Sequence, residues 1–178
     1  HLNAYFALAS FKEAGNRKVR NALWMRSLFL DIDCGAGKYP KKQAAVKALG
    51  AFIEATGMPT PWILDSGGGV HVYWPMTEAV PIPEWKSLAE NLKRLCKQHE
   101  FNIDFTVTAD AARVLRIPST FNWKIEGQPR LVSVKCIGEP RHVPYADLVA
   151  CVSRTLKEPY KEPPSLLSAA GAPLPRST

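Results

Sequence analysis

Apolar and polar positions alternate sharply over residues 27–33, where Leu28, Leu30 and Ile32 fall on one side and Phe29, Asp31 and Asp33 on the other. A period of two over seven residues predicts a strand, and its apolar run predicts a buried one. Residues 41–56 change period: Val46, Leu49 and Ile53 form a helical stripe that Gly57 and Pro59 stop. Short strands are predicted at 62–64 and 70–74, joined as a hairpin by Asp65-Ser66-Gly67-Gly68-Gly69. The strongest helical pattern covers 84–99, with Trp85, Leu88, Leu92 and Leu95 on one face and Pro83 at its start. Residues 103–107 alternate like a strand, and 109–116 read as a helix ended by Pro118. A strand over 131–137 and a helix over 144–156 complete the pattern.

Strands and helices thus interleave, and the fold class expected is α+β, a mixed α/β domain. The 178 residues suit one domain with its own core. Beyond Lys157 the pattern stops: Pro159, Pro163, Pro164, Pro173 and Pro175 interrupt a stretch without period. The expected division is a folded domain over 1–157 and a proline-rich linker or tail over 158–178. The start, HLNAYFALASFKEAG, lacks an initiator Met and does not read as a signal peptide, so the chain is expected to be a piece of something longer.

The net charge of +7 adds a preference for polyanionic partners, namely nucleic acid, nucleotides or an anionic surface. Tail charges cancel, so the excess belongs to the folded part. No stretch is apolar for the roughly 18 residues that a spanning helix needs, so no membrane partner is expected. Cys34, Cys96, Cys136 and Cys151 form no CxxC pair, and Cys96-x-x-His99 has no second pair to complete a zinc site. Reduced thiols in a cytoplasm are expected.

Three constellations carry chemistry. Asp31 and Asp33 share a strand face, so two carboxylates meet at the exit of a buried strand. Like charges that close call for a cation between them, and a hard divalent ion serves best. The same pair reads otherwise as loop aspartates in solvent, or as a cap on the next turn. Ser66-Gly67-Gly68-Gly69-Val70-His71 combines a glycine turn, able to aim N–H groups at a phosphate, with a hydroxyl and an imidazole. A flexible hairpin with an incidental histidine is the alternative. The spacing matches neither GxxxxGK[ST] nor GxGxxG. Third, Asp104 is a carboxylate on the polar side of a predicted strand, while Asp110 has a helix-start explanation with Thr108 as cap. Arg113 and Arg116, three apart, would share a helical face and suit a triphosphate or a nucleic-acid backbone. A surface face with Asp110 paired to Arg113 is the plainer reading. Pro118-Ser119-Thr120-Phe121-Asn122-Trp123-Lys124 follows as a polar and basic loop.

In this order, LFLDID, SGGGVHVYW, Ile103-Asp104 and ARVLRIPSTFNWK resemble the archaeo-eukaryotic primase superfamily, most of all its primase-polymerase branch in phages and plasmids. The likeness covers about 17–125. Ser119 stands where that branch usually has glycine. The resemblance implies a primase core with an RRM-like sheet and a smaller packed α/β module. It implies DNA primase or polymerase activity by nucleotidyl transfer, with two Mg²⁺ or Mn²⁺ ions held by Asp31, Asp33 and Asp104. Ser66, His71, Arg113, Arg116 and Lys124 would bind the nucleotide. Implied partners are a single-stranded DNA template, nucleoside triphosphates, and a covalently linked helicase or other replication domain, in a host cytoplasm if the gene is a phage's. A metal-dependent nuclease and a non-catalytic single-strand- or origin-binding module are the rival expectations.

Overall fold

A computed structural model describes residues 2–135, 139 and 141–163. Its centre is a five-stranded antiparallel sheet in the order β2-β3-β5-β4-β9. The strands are β2 (Ala9–Phe11), β3 (Ala22–Asp33), β4 (Trp62–Asp65), β5 (Gly69–Pro81) and β9 (Ser133–Val134). Two short ladders stand beside it: β1 (Tyr5–Ala7) with β6 (Val114–Arg116), and β7 (Phe121–Asn122) with β8 (Arg130–Leu131). The helices are α1 (Lys42–Thr56), α2 (Ile82–Gln98) and α3 (Tyr145–Thr155). The mixed α/β expectation holds.

Alternation in β3 sends Leu28, Leu30 and Ile32 to one face, where the register sets them against Trp74, Val72 and Val70 of β5. These side chains form one core with Leu49 and Phe52 of α1, Leu88 and Leu92 of α2, and Leu148 and Val152 of α3. Trp85 of α2 stacks on Phe29 with centroids 6.0 Å apart, and its indole N–H donates to the Ser27 carbonyl at 2.9 Å. Pro lies in the first turn of α2, and the left-handed Gly57 (φ 68°) closes α1, both as the sequence predicts. The buried stripe of α1 is Ala45, Leu49, Phe52 and Thr56, turned slightly from the predicted one, so Val46 and Ile53 are only half-buried. No helix among the described residues is long and apolar enough to cross a membrane.

Two predicted elements are absent. Residues 103–107 form no strand: 103–104 are irregular and a turn runs over 105–109, although Ile103 and Val107 are buried. The Asp104 carboxylate accepts from the Thr106 N–H (2.9 Å) and hydroxyl (2.6 Å), and Thr108 Oγ1 donates to the Asp104 carbonyl (2.9 Å). Such local side-chain bonds compete with a strand ladder. Nor are residues 109–116 helical. Asp110 Oδ1 accepts the Ala112 N–H at 2.9 Å to make a turn, and the chain then enters β6, pairing antiparallel with β1. Tertiary pairing with the N-terminus overrides local helix propensity there. The strand expected at 131–137 is divided between β8 and β9, and Cys136 and Ile137 lie outside the described residues.

The expected tail begins with an ordered contact. Lys161 N donates to Asn91 Oδ1 (3.0 Å), Asn91 and Ser87 donate to the Lys161 carbonyl, and Arg94 pairs with Glu158 at 2.6 Å. Residues 164–178 of that tail lie outside the described residues.

Candidate active site

The antiparallel register of β3 and β5 puts Asp31 opposite His71 and Asp33 opposite Gly69. The two motifs, forty residues apart in sequence, thereby become neighbours on one sheet face. Asp31 and His71 are both buried, and Asp31 Oδ1 lies 3.8 Å from His71 Nε2. The other oxygen of Asp31 accepts from Arg113 Nη2 at 3.4 Å. Asp31, Asp33, Ser66 and His71 line one side of a cleft of about 640 Å³, and Arg113, Arg116 and Lys124 line it too.

The arginines reach this cleft by a route other than a shared helix face. Arg113 leaves the turn before β6, and Arg116 leaves β6 itself, where Asn3 Oδ1 accepts from its Nη1 at 2.7 Å and the Tyr5 ring lies 4.9 Å beneath it. Arg113 Nε is buried and finds no acceptor among the described residues. Lys124 is exposed, its backbone N–H held by Asn122 Oδ1 at 2.9 Å.

Asp104 is not part of the cleft lining. Its backbone N–H donates to the Asp31 carbonyl at 2.8 Å, which sets the segment against β3 within electrostatic reach of Asp31. Among the described residues no three His, Cys, Asp or Glu side chains are grouped so as to hold one metal ion.

Burial pushes the Asp31 carboxyl up to about 6, and the negative charges of Asp33 and Asp104 add to this while Arg113 opposes it. Burial pushes Asp104 up as well, but its bonds from Thr106, with Arg113 and Lys38 nearby, hold it below the usual range. Burial and the charges of Arg116 and Arg113 lower His71 to about 4, so its imidazole is neutral near pH 7.

The glycine run has a packing role. A Cβ on Gly69 would sit 2.3 Å from the Ile32 carbonyl oxygen, and one on Gly67 (φ 83°) would sit 2.8 Å from Asn122 Cβ. Glycine lets β5 begin against β3 and lets the β7–β8 hairpin seat on the loop. The loop also bonds to itself: Gly67 N–H donates to Asp65 Oδ1, Gly69 N–H to Ser66 Oγ, and Ser66 N–H to the Gly69 carbonyl. Those three N–H groups are therefore not aimed at a phosphate, contrary to the reading of the run as an open nest.

Pattern reading missed Lys38 and Arg130 here, whereas the period of two already places Tyr73 on the face of His71. Lys38, in the loop after β3, forms an ion pair with Asp33, and its ammonium is held above its usual range by that bond and by the surrounding aspartates. Arg130 lines the cleft and donates to the Gly67 carbonyl at 3.1 Å. Tyr73 Oη lies 3.2 Å from His71 Nδ1. A Gly-x-Gly-Lys loop next to an acidic strand could have signalled Lys38. Nothing local signals Arg130.

No family model matches the chain, and no curated protein matches it. Among solved structures it is similar to the AEP domain of the cyanophage S-2L primase-polymerase (PrimPol), with a TM-score of 0.59 and 19% identity, covering 84% of this chain and 70% of that one. At that identity the likeness shows the fold: this mixed α/β chain shares the architecture of that AEP domain.

Proposed function

We propose that residues 1–157 form the catalytic domain of a template-dependent nucleotidyltransferase, a DNA primase or polymerase, and that 158–178 link it to a further replication domain such as a helicase. The observation that carries this reading is one cleft joining two carboxylates at a strand exit, Asp31 buried and Asp33 partly exposed, to several cationic side chains. One of those, Arg113, has a buried Nε with no acceptor among the described residues, as suits a site whose anion arrives with the substrate. The fold likeness to a primase-polymerase domain agrees with it.

The donor chemistry fits a divalent cation. Asp31 and Asp33 are hard oxygen donors on one strand face, and burial of Asp31 together with the charges of Asp33 and Asp104 disfavours its ionised form, a cost that a bound cation would offset. Asp31 and Asp33 would hold Mg²⁺ or Mn²⁺, and Asp104, bonded to Thr106 outside the cleft lining, would have to swing in to serve as the third carboxylate. When bound, two such ions stabilise the charge that develops on the attacking and leaving oxygens. Arg113, Arg116 and Lys124 would bind the triphosphate and stabilise the departing pyrophosphate by charge-assisted hydrogen bonds. His71, neutral, would donate to a phosphate oxygen, and Ser66 would hold the loop beneath it.

The test is incubation of the chain with single-stranded templates, labelled nucleotides and Mg²⁺ or Mn²⁺, with and without a primer. Incorporation with pyrophosphate release is expected, and Asp31→Ala and Asp33→Ala should each lower it by at least about a hundredfold. Shortening of the oligonucleotide without pyrophosphate would indicate a nuclease. Binding with neither reaction would indicate a non-catalytic module.

A further inference from the structure

The β7–β8 hairpin concentrates features that the catalytic chemistry does not use. Phe121 and Leu131 are cross-strand partners, yet the two residues are 46% and 52% exposed, and Ile125 at the tip is 42% exposed. The Phe121 and Trp123 rings lie 6.0 Å apart at 50°. A cluster of exposed large apolar side chains on so short a segment marks an interaction surface. Cations flank it along the chain: Lys124 and Arg130 on the hairpin and Lys135 four residues past Leu131, all exposed, with Glu126 as the acid among them.

The hairpin is also anchored. Asn122 Nδ2 donates to the Ser66 carbonyl at 2.7 Å, Arg130 Nη1 donates to the Gly67 carbonyl, and Gly67 leaves room for both side chains. Lys124, Ile125 and Arg130 line the cleft as well, so the apolar surface continues directly from it.

We propose that this hairpin is a stacking platform for single-stranded DNA, receiving bases on Phe121 while Arg130 and Lys135 meet the phosphates. The choice of DNA rests on the nucleotidyltransferase reading above. Aromatic faces interleaved with cations suit unpaired bases, whose faces are free to stack, whereas a duplex hides them. The surplus of positive charge complements a phosphodiester chain.

The test measures binding of fluorescein-labelled dT20 to the whole chain by anisotropy across a salt series. Phe121→Ala should weaken binding about tenfold, with its melting temperature and salt slope close to those of the parent. Phe121→Leu, which keeps apolar bulk but loses the ring, should weaken it nearly as much. Lys135→Ala should reduce the salt slope by about one. Unchanged affinity in Phe121→Ala, or full affinity in Phe121→Leu, overturns the platform; the latter result would indicate an apolar protein partner instead. If the parent chain incorporates nucleotides while Phe121→Ala binds dT20 normally, only the platform fails. If the parent incorporates none while Phe121→Ala loses dT20, the platform stands and the nucleotidyltransferase reading fails.

Discussion

Tyr73 Oη lies 3.2 Å from Nδ1 of His71, while Nε2 of the same ring faces the Asp31 carboxylate at 3.8 Å. A carboxylate only accepts, so the tautomer that suits both neighbours has the proton on Nε2, which leaves Nδ1 to accept from the Tyr73 hydroxyl. Burial, followed by the Asp31 charge, raises the Tyr73 phenol and keeps it a donor. Tyr73 thereby orients a neutral imidazole with its N–H towards the cleft.

Removing that hydroxyl should release the ring. In Tyr73→Phe, the side-chain ¹⁵N shifts of His71 should move from a predominantly Nε2–H form to a mixture of tautomers. The nucleotide KM should rise by about threefold to tenfold, since one aligned donor is lost. An unchanged ¹⁵N spectrum would show that Tyr73 does not set the tautomer.

Asp31 and His71 should oppose each other in the pH dependence of stability. The Asp31 value rises from 3.8 to about 6 on folding, so its contribution is full below 3.8 and is lost as pH rises through about 6. His71 falls from 6.5 to about 4, so its contribution is present above 6.5 and is lost as pH falls through about 4. Without divalent ions, Asp31→Asn should therefore be more stable than the parent at pH 7, by about 2–3 kcal/mol. Its stability should fall more steeply on acidification from 6.5 to 4, because only the histidine effect remains. Urea melts between pH 4 and 8 measure this, and equal stability of the two proteins at pH 7 would refute it.

Ser119 occupies the left-handed region at φ 64°, where a side chain is strained and glycine is not. Its N–H donates to the Val132 carbonyl at 2.8 Å, so the turn is held despite the strain. Ser119→Gly should stabilise the chain by about 0.5–1 kcal/mol, raising the melting temperature by about 1–4 °C after the added freedom of the unfolded glycine is offset. Calorimetry on the pair decides it: a lower melting temperature would mean that the serine is not strained.

Residues 158–161 hydrogen-bond to α2 through Asn91 and Arg94. Two truncations separate that contact from whatever follows. A chain ending at residue 157 should be less stable than one ending at 163 by about 1–3 kcal/mol, and nucleotide incorporation should survive in both. Equal melting temperatures would mean that the contact contributes nothing, and loss of incorporation in both would refute a linker role for 158–178.

Where the local period reports burial, the sequence was sufficient. The alternation of Leu28, Leu30 and Ile32, the stripe of Trp85, Leu88, Leu92 and Leu95, and the glycine hairpin before His71 each state which side of an element is buried, and each element formed. Period says nothing about what covers that side. Ile103, Phe105 and Val107 alternate, yet the Asp104 and Thr108 side chains bond the backbone into turns. Residues 114–116 follow a helical period but extend to pair with Tyr5–Ala7, a partner more than a hundred residues away. The arrangement of the cleft is likewise non-local: Asp31 meets His71 through strand register, and Arg113 reaches Asp31 across 82 residues. Even the glycines owe their identity to distant atoms, the Ile32 carbonyl and the Asn122 side chain. Residue types and local periods supplied the chemistry and most of the elements, whereas their juxtaposition depended on packing between segments that local hydrophobic pattern does not encode.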